Sequence, residues 1–551
     1  MSHRFGRMPV VASGVLVTVL VAGAAVVVSQ QGMAAAPATK ISREDAAKSL
    51  LAHHYGRFGT QAVTRALAWT AGEKQSPGRT IGEGDLARSS TASGGSTALP
   101  RAALTNVRVN DPAADRFQID QTTQSETTVA VAGSNVAVGY NDSQQALLAL
   151  TDGIDLTGYS YSSDGGRTFT DGGALSNPLN FVNIGDPWLT SDRAGRMYYA
   201  TLTYGGNVGN GEVAVARSTD GGRTWAEPRL ASPNDDSLFY FADKEAITAG
   251  RDPSVASRDN LYVAWDDLVF DFATFTLTTG LPVASSTDGG QTWSLHYLDK
   301  ITNDLFSCSF TQYLGAQPFG DPADGTLYVA AEKIAVTDPD CTGGQATLSQ
   351  VIFKSTDGGN TFGPALTVSP VTAATPIGAL ELGPGMFMRT AEVPVLALRA
   401  GTLSLAWNDG ATGHSHIQLA NSTDGGATWT VKPATTGTGD EVMPALSADR
   451  EGLHLAYYQR NADNTLDTVV ADSTDGGDHF TAKAITSQPF PGVRTVPQFD
   501  PQIAFGYMGD YIANVSDGNH QYFAWGDNRN RITNFTHPQG RNDPDVYFAR
   551  R

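Results

Sequence analysis

Carboxylates recur at one kind of place in this 551-residue chain, where polar residues give way to a short apolar run. The stretches are "SETTVAV", "GDPWLTS", "DKEAITA", "TQYLGA", "AEVPVLA", "DEVMPAL" and "MGDYIAN". Six of the seven carry Asp or Glu: Glu126, Asp186, Asp243 with Glu245, Glu392, Glu441 and Asp510. Carboxylates gathered at one mouth raise one another's pKa values, which a general acid requires. Two or three of them facing one another would serve as general acid and base, or as ligands of a hard cation such as calcium. The plain alternative is that each one caps backbone N–H groups where a strand begins. "FADKEAITAG" sets Lys244 between Asp243 and Glu245 and is the first candidate, followed by Asp186 in "IGDPW" and Asp510 in "MGDY". A second set follows the next apolar run of each segment: Asp142, Asp266, Asp267, Glu332, Asp409, Arg460, Asp527 and Arg529.

Such residues meet only if the segments between them fold alike, and the sequence says that they do. "SSDGGRTF" at Ser162 returns as "STDGGRTW", "STDGGQTW", "STDGGNTF", "STDGGATW" and "STDGGDHF". The opening serines, Ser162, Ser218, Ser286, Ser355, Ser422 and Ser473, are 51 to 69 residues apart. That spacing suits one four-stranded sheet with an insert, and four-stranded sheets repeated radially make a β-propeller. Runs such as "NLYVAWDD", "GTLSLAWND" and "HQYFAWGDN" have strand length and end in polar residues. Trp188, Trp265, Trp407 and Trp525 are expected within the core. "DDLVFDFATFTLTTG" and "YNDSQQALLALTDGIDLTG" are expected as loops longer than hairpin turns. The seven repeat openings favour seven blades, with six and an elaborated closure as the alternative.

Within each turn, the Asp accepts hydrogen bonds from backbone N–H groups, Ser and Thr hydroxyls brace it, and Gly supplies positive φ. The aspartates are Asp164, Asp220, Asp288, Asp357, Asp424 and Asp475. The sixth copy has His479 in the Thr place, which predicts a weaker brace there. These residues resemble the Asp-box, or bacterial neuraminidase repeat, of sialidases and related propeller families, over roughly residues 120–550. The resemblance implies an all-β propeller whose boxes join third and fourth strands, on the face away from the usual active site. It also implies a sialidase-like glycoside hydrolase. That family grips a substrate carboxylate with three arginines and pairs a Tyr nucleophile with a Glu, with an Asp as acid/base. By residue type, Arg389 in "FMRTAEVP", Arg460 in "YYQRN" and Arg529 in "GDNRN" match the arginines. Tyr458 or Tyr511, near Glu392 or Glu441, matches the nucleophile pair. The family's "RIP"-like stretch is missing near Glu126. Two other functions therefore stay open: a non-catalytic glycan- or protein-binding propeller, and a lyase on an acidic glycan, for which His414 and His416 are candidate bases.

The net charge of −19, with no Lys/Arg cluster beyond the extreme N-terminus, argues against nucleic acid as partner. A carbohydrate or cell-surface glycan is the expected partner, with no cofactor required and calcium possible. Residues 1–38 have Arg4 and Arg7 before an apolar run and small residues, the pattern of an export signal or an N-terminal membrane anchor. Residues 39–97 combine a helical pattern, with Ser42 and Asp45 as a capping pair, and a Gly/Ser-rich linker. The propeller is expected over 98–551. Cys308 and Cys341 are the chain's two cysteines, and in an exported protein they favour a disulfide.

Overall fold

The computed structural model describes residues 99–113, 124–142, 156–205, 210–232, 239–271, 274, 276–303, 309–337, 345–374, 379–383, 386–493, 508–533 and 538–551. The N-terminal signal or anchor, the helical segment, the linker, Cys308 and Cys341 lie outside these residues.

The described chain is all-β and propeller-like. Consecutive strands pair antiparallel in units of four, at residues 124–174, 181–230, 239–303, 310–371, 395–433 and 441–484. We number these the first to sixth units. A single parallel bridge, Phe241 to Gly211, joins the second and third into one eight-stranded sheet. A hairpin of Ala379–Gly383 and Met386–Arg389 stands between the fourth and fifth. The closing unit takes three strands from residues 513–550 and its outer strand, Val107–Arg108, from the other end of the described chain. Asn110 fastens this closure: its Nδ2 donates to Asp545 at 2.9 Å and its Oδ1 accepts from the Val546 amide at 2.9 Å. Pairing the first strand with the last protects an edge that would otherwise be open to another chain.

Apolar side chains fill the seams between neighbouring sheets. Val129, Val136 and Val138 of the first unit pack with Tyr522, Ala524 and Phe548 of the closing unit. Second strands have both faces covered, so they appear as continuous apolar runs instead of alternating ones. Trp265, Trp407 and Trp525 are fully buried within such strands, as their sequence context suggests. The "DDLVFDFATFTLTTG" stretch is a correction. Asp259–Asp271 and Thr276–Ser286 continue their ladder out to Asp271 opposite Thr276, so β-branched and aromatic residues extend the hairpin where a loop was expected.

The six repeated turns fold alike, each between the third and fourth strands of its unit. In the first, the Ser162 hydroxyl donates to Asp164 Oδ1 at 2.7 Å and the Thr168 hydroxyl to Oδ2 at 2.7 Å. The Thr168 amide adds a bond to Oδ1 at 3.0 Å. In the fifth, the Thr428 hydroxyl and amide and the Ser422 hydroxyl hold the Asp424 carboxyl down to about 2. The sixth corrects the expected weak brace: His479 Nδ1 takes the place of the Thr hydroxyl, 2.7 Å from Asp475 Oδ2. Ser162 pairs with Val136 at the start of the second strand, whereas Asn141 at its far end pairs with Ser125. The turns and the carboxylate-bearing openings therefore lie at opposite ends of the sheets.

Gly166 and Gly476 separate the two demands such a turn makes of glycine. Both have positive φ, 81° and 77°. A Cβ on Gly166 would lie 2.3 Å from the Phe548 ring, while one on Gly476 would meet nothing within 4 Å. Gly476→Ala should cost roughly 1–2 kcal/mol for the backbone alone. Gly166→Ala should cost about 1–3 kcal/mol more for the steric clash. Urea unfolding of the two variants checks the order, and equal losses would contradict the packing role assigned to the turn.

Candidate active site

Five units carry the same irregularity near the start of their first strand. The ladder skips two residues after Ser125, Gly185, Asp243, Leu314 and Val442, a β-bulge in each case. The residue entering each bulge has left-handed φ: Glu126 53°, Asp186 54°, Lys244 49°, Gly315 67° and Met443 55°. Glycine is required at Gly315, where a Cβ would come within 2.4 Å of Val393. The other four accept roughly 1–2 kcal/mol of backbone strain each. Residues held in such backbone regions cluster at active sites and ligand clamps, which makes this repeated position a candidate. Second strands pin these bulges across the seams. Asn141 Oδ1 accepts the Asp186 amide at 2.8 Å, and Asp266 Oδ1 accepts the Gly315 amide at 3.0 Å.

The bulges bring together side chains far apart in sequence. Lys244 Nζ lies 2.5 Å from Asp510 Oδ2, 3.2 Å from Glu126 Oε1 and 3.7 Å from Asp186 Oδ2. Asp510 also receives Arg389, through Nε at 2.6 Å and through Nη2. Asn141 Nδ2 donates to Glu126 Oε2 at 3.0 Å, and the Glu126 and Asp186 carboxyls are hydrogen-bonded to each other. Beside this cluster is a cavity of about 20 Å³, room for roughly one water. Lys244, Glu245, Asp510, Gln317, Trp188 and Tyr511 form its polar wall, and Ala391, Val393, Val395, Met443 and Pro444 its apolar one. The Trp188 and Tyr511 rings are 5.0 Å apart, Lys244 lies 4.9 Å over Tyr511, and the Tyr511 hydroxyl donates to the Pro187 carbonyl at 2.8 Å.

Six buried carboxyls, those of Glu126, Asp186, Asp243, Glu245, Asp266 and Asp510, share two cations, and their pKa values split accordingly. Burial, then Asp186, push Glu126 up to about 8. Burial pushes Asp243 up to about 7, and Asp266 well above the carboxylate range with Asp243 adding to the shift. Glu245 is also raised well above that range, by burial and then by Asp186; its two oxygens meet no other residue's donor among the described residues. Asp510 goes the other way. Burial would raise it, but Arg389 and Lys244 outweigh that and hold it well below the ordinary range.

The remaining sequence candidates stand apart from this cluster. Glu441 is paired with His416 and with the Thr435 hydroxyl, and His414 lies 3.4 Å from Asp440. Glu392 takes the Ala374 amide at 2.6 Å. Tyr458 is buried in an apolar core with its hydroxyl on the Gly526 carbonyl at 2.8 Å, so no Tyr–Glu pair forms with Glu392 or Glu441. Arg460 binds Asn464 and Asp440, and Arg529 binds Asp527, Asn106 and Ser487. Of the three arginines, only Arg389 is found at the cluster. Trp188 lies within a first strand and packs partly against the core of the second and third units, as expected, and it also lines the cavity. Asn141 was not among the sequence candidates. Its signal is positional: Asn141 and Asp266 both stand opposite the residue that precedes a bulge.

No family model matches the chain. The xyloglucanase of Hypocrea jecorina (strain QM6a) is 26% identical over 337 residues, 58% of this chain and 34% of that protein. The chain thus spans about a third of the length of this curated relative. Among solved structures, the α-L-arabinofuranosidase Arb93A of Fusarium graminearum is similar at 11% identity and a TM-score of 0.42, over 68% of this chain and 96% of that one. Phage phi92 endosialidase is similar at 11% identity and 0.41, over 81% and 68%. The Hadza microbial sialidase Hz136 reaches 18% and 0.38, over 67% and 66%. Likenesses this remote bear neither on activity nor on substrate.

Lys244→Met should destabilise the fold by about 3–5 kcal/mol, because it leaves buried carboxylates without their cation; denaturant titration measures the loss. Stability should also vary with pH. A carboxyl raised in the folded state contributes stability that is complete below its unfolded pKa and lost as pH rises through its folded one. Glu126 and Asp243, at about 8 and about 7, therefore predict a falling Tm from mildly acidic pH up to about 8. Asp510, being lowered, contributes stability above the ordinary carboxylate range that is lost in strong acid. Glu126→Gln should flatten the upper limb.

Proposed function

We propose that this chain is an extracytoplasmic glycoside hydrolase on a seven-bladed propeller, its units being the blades and Val107–Arg108 closing the ring. One observation supports this most. Glu245 and Asp510 line the same cavity, and their surroundings drive the two carboxyls in opposite directions. A carboxyl kept protonated beside one kept ionised is the pairing that glycosidic cleavage uses. Glu245 is then the proton donor to the leaving oxygen, and Asp510 the carboxylate that activates water or stabilises the cationic transition state. Trp188 and Tyr511 offer π faces to the CH face of a sugar lying across the mouth. Asp186, Glu126 and Asp243 hold Lys244 and set the field.

A neutral sugar is favoured over sialic acid. Lys244 and Arg389 are both engaged by carboxylates of the chain itself, so an acidic sugar would have to displace them. A second reading, a non-catalytic propeller that binds glycan at its surface, is favoured by the size of the cavity, since room for about one water does not admit a sugar to Glu245 and Asp510.

The test is release of umbelliferone from β-glucoside, α-arabinofuranoside and sialoside, with xyloglucan oligosaccharides alongside. Turnover of a neutral substrate should fall about 100-fold or more in kcat in Glu245→Gln, with Tm retained. Folded wild-type protein that cleaves none of these sinks the hydrolase. Glycan binding without turnover would then favour the second reading.

A further inference from the structure

A second group of buried oxygens lies at the seam of the fourth and fifth units and does not depend on the glycosidase reading. Glu332, on Leu327–Thr337, is fully buried and stands opposite Leu314, just before its own unit's bulge. That is the position of Asn141 in the first unit and Asp266 in the third. Those two accept an amide from the next unit, whereas neither Glu332 oxygen has a hydrogen-bond partner among the described residues.

The neighbours of Glu332 supply further acceptors. Gln350, its cross-strand partner, is fully buried; its Nε2 donates to the Glu392 carbonyl at 2.6 Å and its Oε1 has no partner. The Glu392 side chain acts on Glu332 as a like charge, and it accepts the Ala374 amide at 2.6 Å and its own backbone amide. Asn408 Nδ2 donates to the adjoining Ala391 carbonyl at 2.9 Å, leaving a buried Oδ1 without a partner. Two carboxylates and two amide oxygens thus lie along one seam, and no Lys or Arg is seen to neutralise them among the described residues.

A buried carboxylate needs a donor, a proton or a cation. We propose that this seam binds one calcium ion, with Glu332 and Glu392 as charged ligands and Gln350 Oε1 as a neutral one. Calcium accepts carboxylate and amide oxygens in an adaptable shell, whereas magnesium demands a small octahedron and retains its waters. Two carboxylates balance its charge. The ion would tie the second and third strands of the fourth unit to the segment that leads into the fifth unit's first strand.

Calorimetric titration of the chelator-stripped full chain with calcium, with magnesium as control, tests this. One calcium per chain is expected, with a Tm raised by several degrees. Glu332→Gln should abolish both effects while leaving the ion-free Tm at or above that of the ion-free wild type, since a neutral amide replaces a buried carboxyl. Glu245→Gln, at the axial cavity, should leave calcium binding intact. Absence of calcium binding in wild type overturns the proposal, as does binding retained in Glu332→Gln or lost only in Glu245→Gln. If Glu332→Gln does not fold, Glu392→Gln takes its place under the same criteria.

Discussion

The buried ammonium of Lys244 touches Glu126 of the first unit, Asp186 of the second and Asp510 of the closing unit, while its own backbone belongs to the third. Four units therefore meet at one charge. Desolvating Lys244 and its partners is expensive, and an apolar plug of equal volume would serve stability as well or better. What the ion pairs supply is position. They keep Asp510 ionised, leave Glu245 without a cation of its own, and fix both beside one cavity.

That position depends on backbone geometry more than on side-chain type. The bulge residues Glu126, Asp186 and Lys244 all have left-handed φ, and their side chains meet one another. The preceding unit's Asn141 or Asp266 then holds the next bulge in place. Away from the axis, the six repeated turns brace the opposite end with self-contained hydrogen bonds, and their aromatic residues lock into neighbouring seams, as Phe169 does 5.0 Å from Phe548. The frame and the candidate site are thus built at opposite ends of the same strands.

Much of the frame was legible because it repeats. Six copies of one turn at even spacing announce an all-β chain of four-stranded units, and the first-strand openings pick out Asp186, Asp243, Glu245 and Asp510 without further information. Long-range partners were not legible. Nothing local distinguishes Glu126, which meets Lys244, from Glu441, which is taken by His416 and Thr435 nearby in sequence. Nor does sequence separate Arg389, which an inserted hairpin carries to Asp510, from Arg460 and Arg529, which find acceptors within a few residues. The bulges were hidden because left-handed φ is announced by glycine only at Gly315. The sialidase-type arginine arrangement was matched by residue type alone: Arg389 reaches Asp510, while Arg460 and Arg529 are held by Asn464 and Asp527 a few residues away.

The account rests on Glu245 being neutral and Asp510 ionised in the same cavity at neutral pH, and infrared difference spectroscopy reads this directly. Wild type minus Glu245→Gln should show the carbonyl band of a protonated carboxylic acid, and wild type minus Asp510→Asn the paired bands of a carboxylate. A carboxylate signature for Glu245 at neutral pH would contradict the account, because the cavity would then hold no proton donor opposite Asp510.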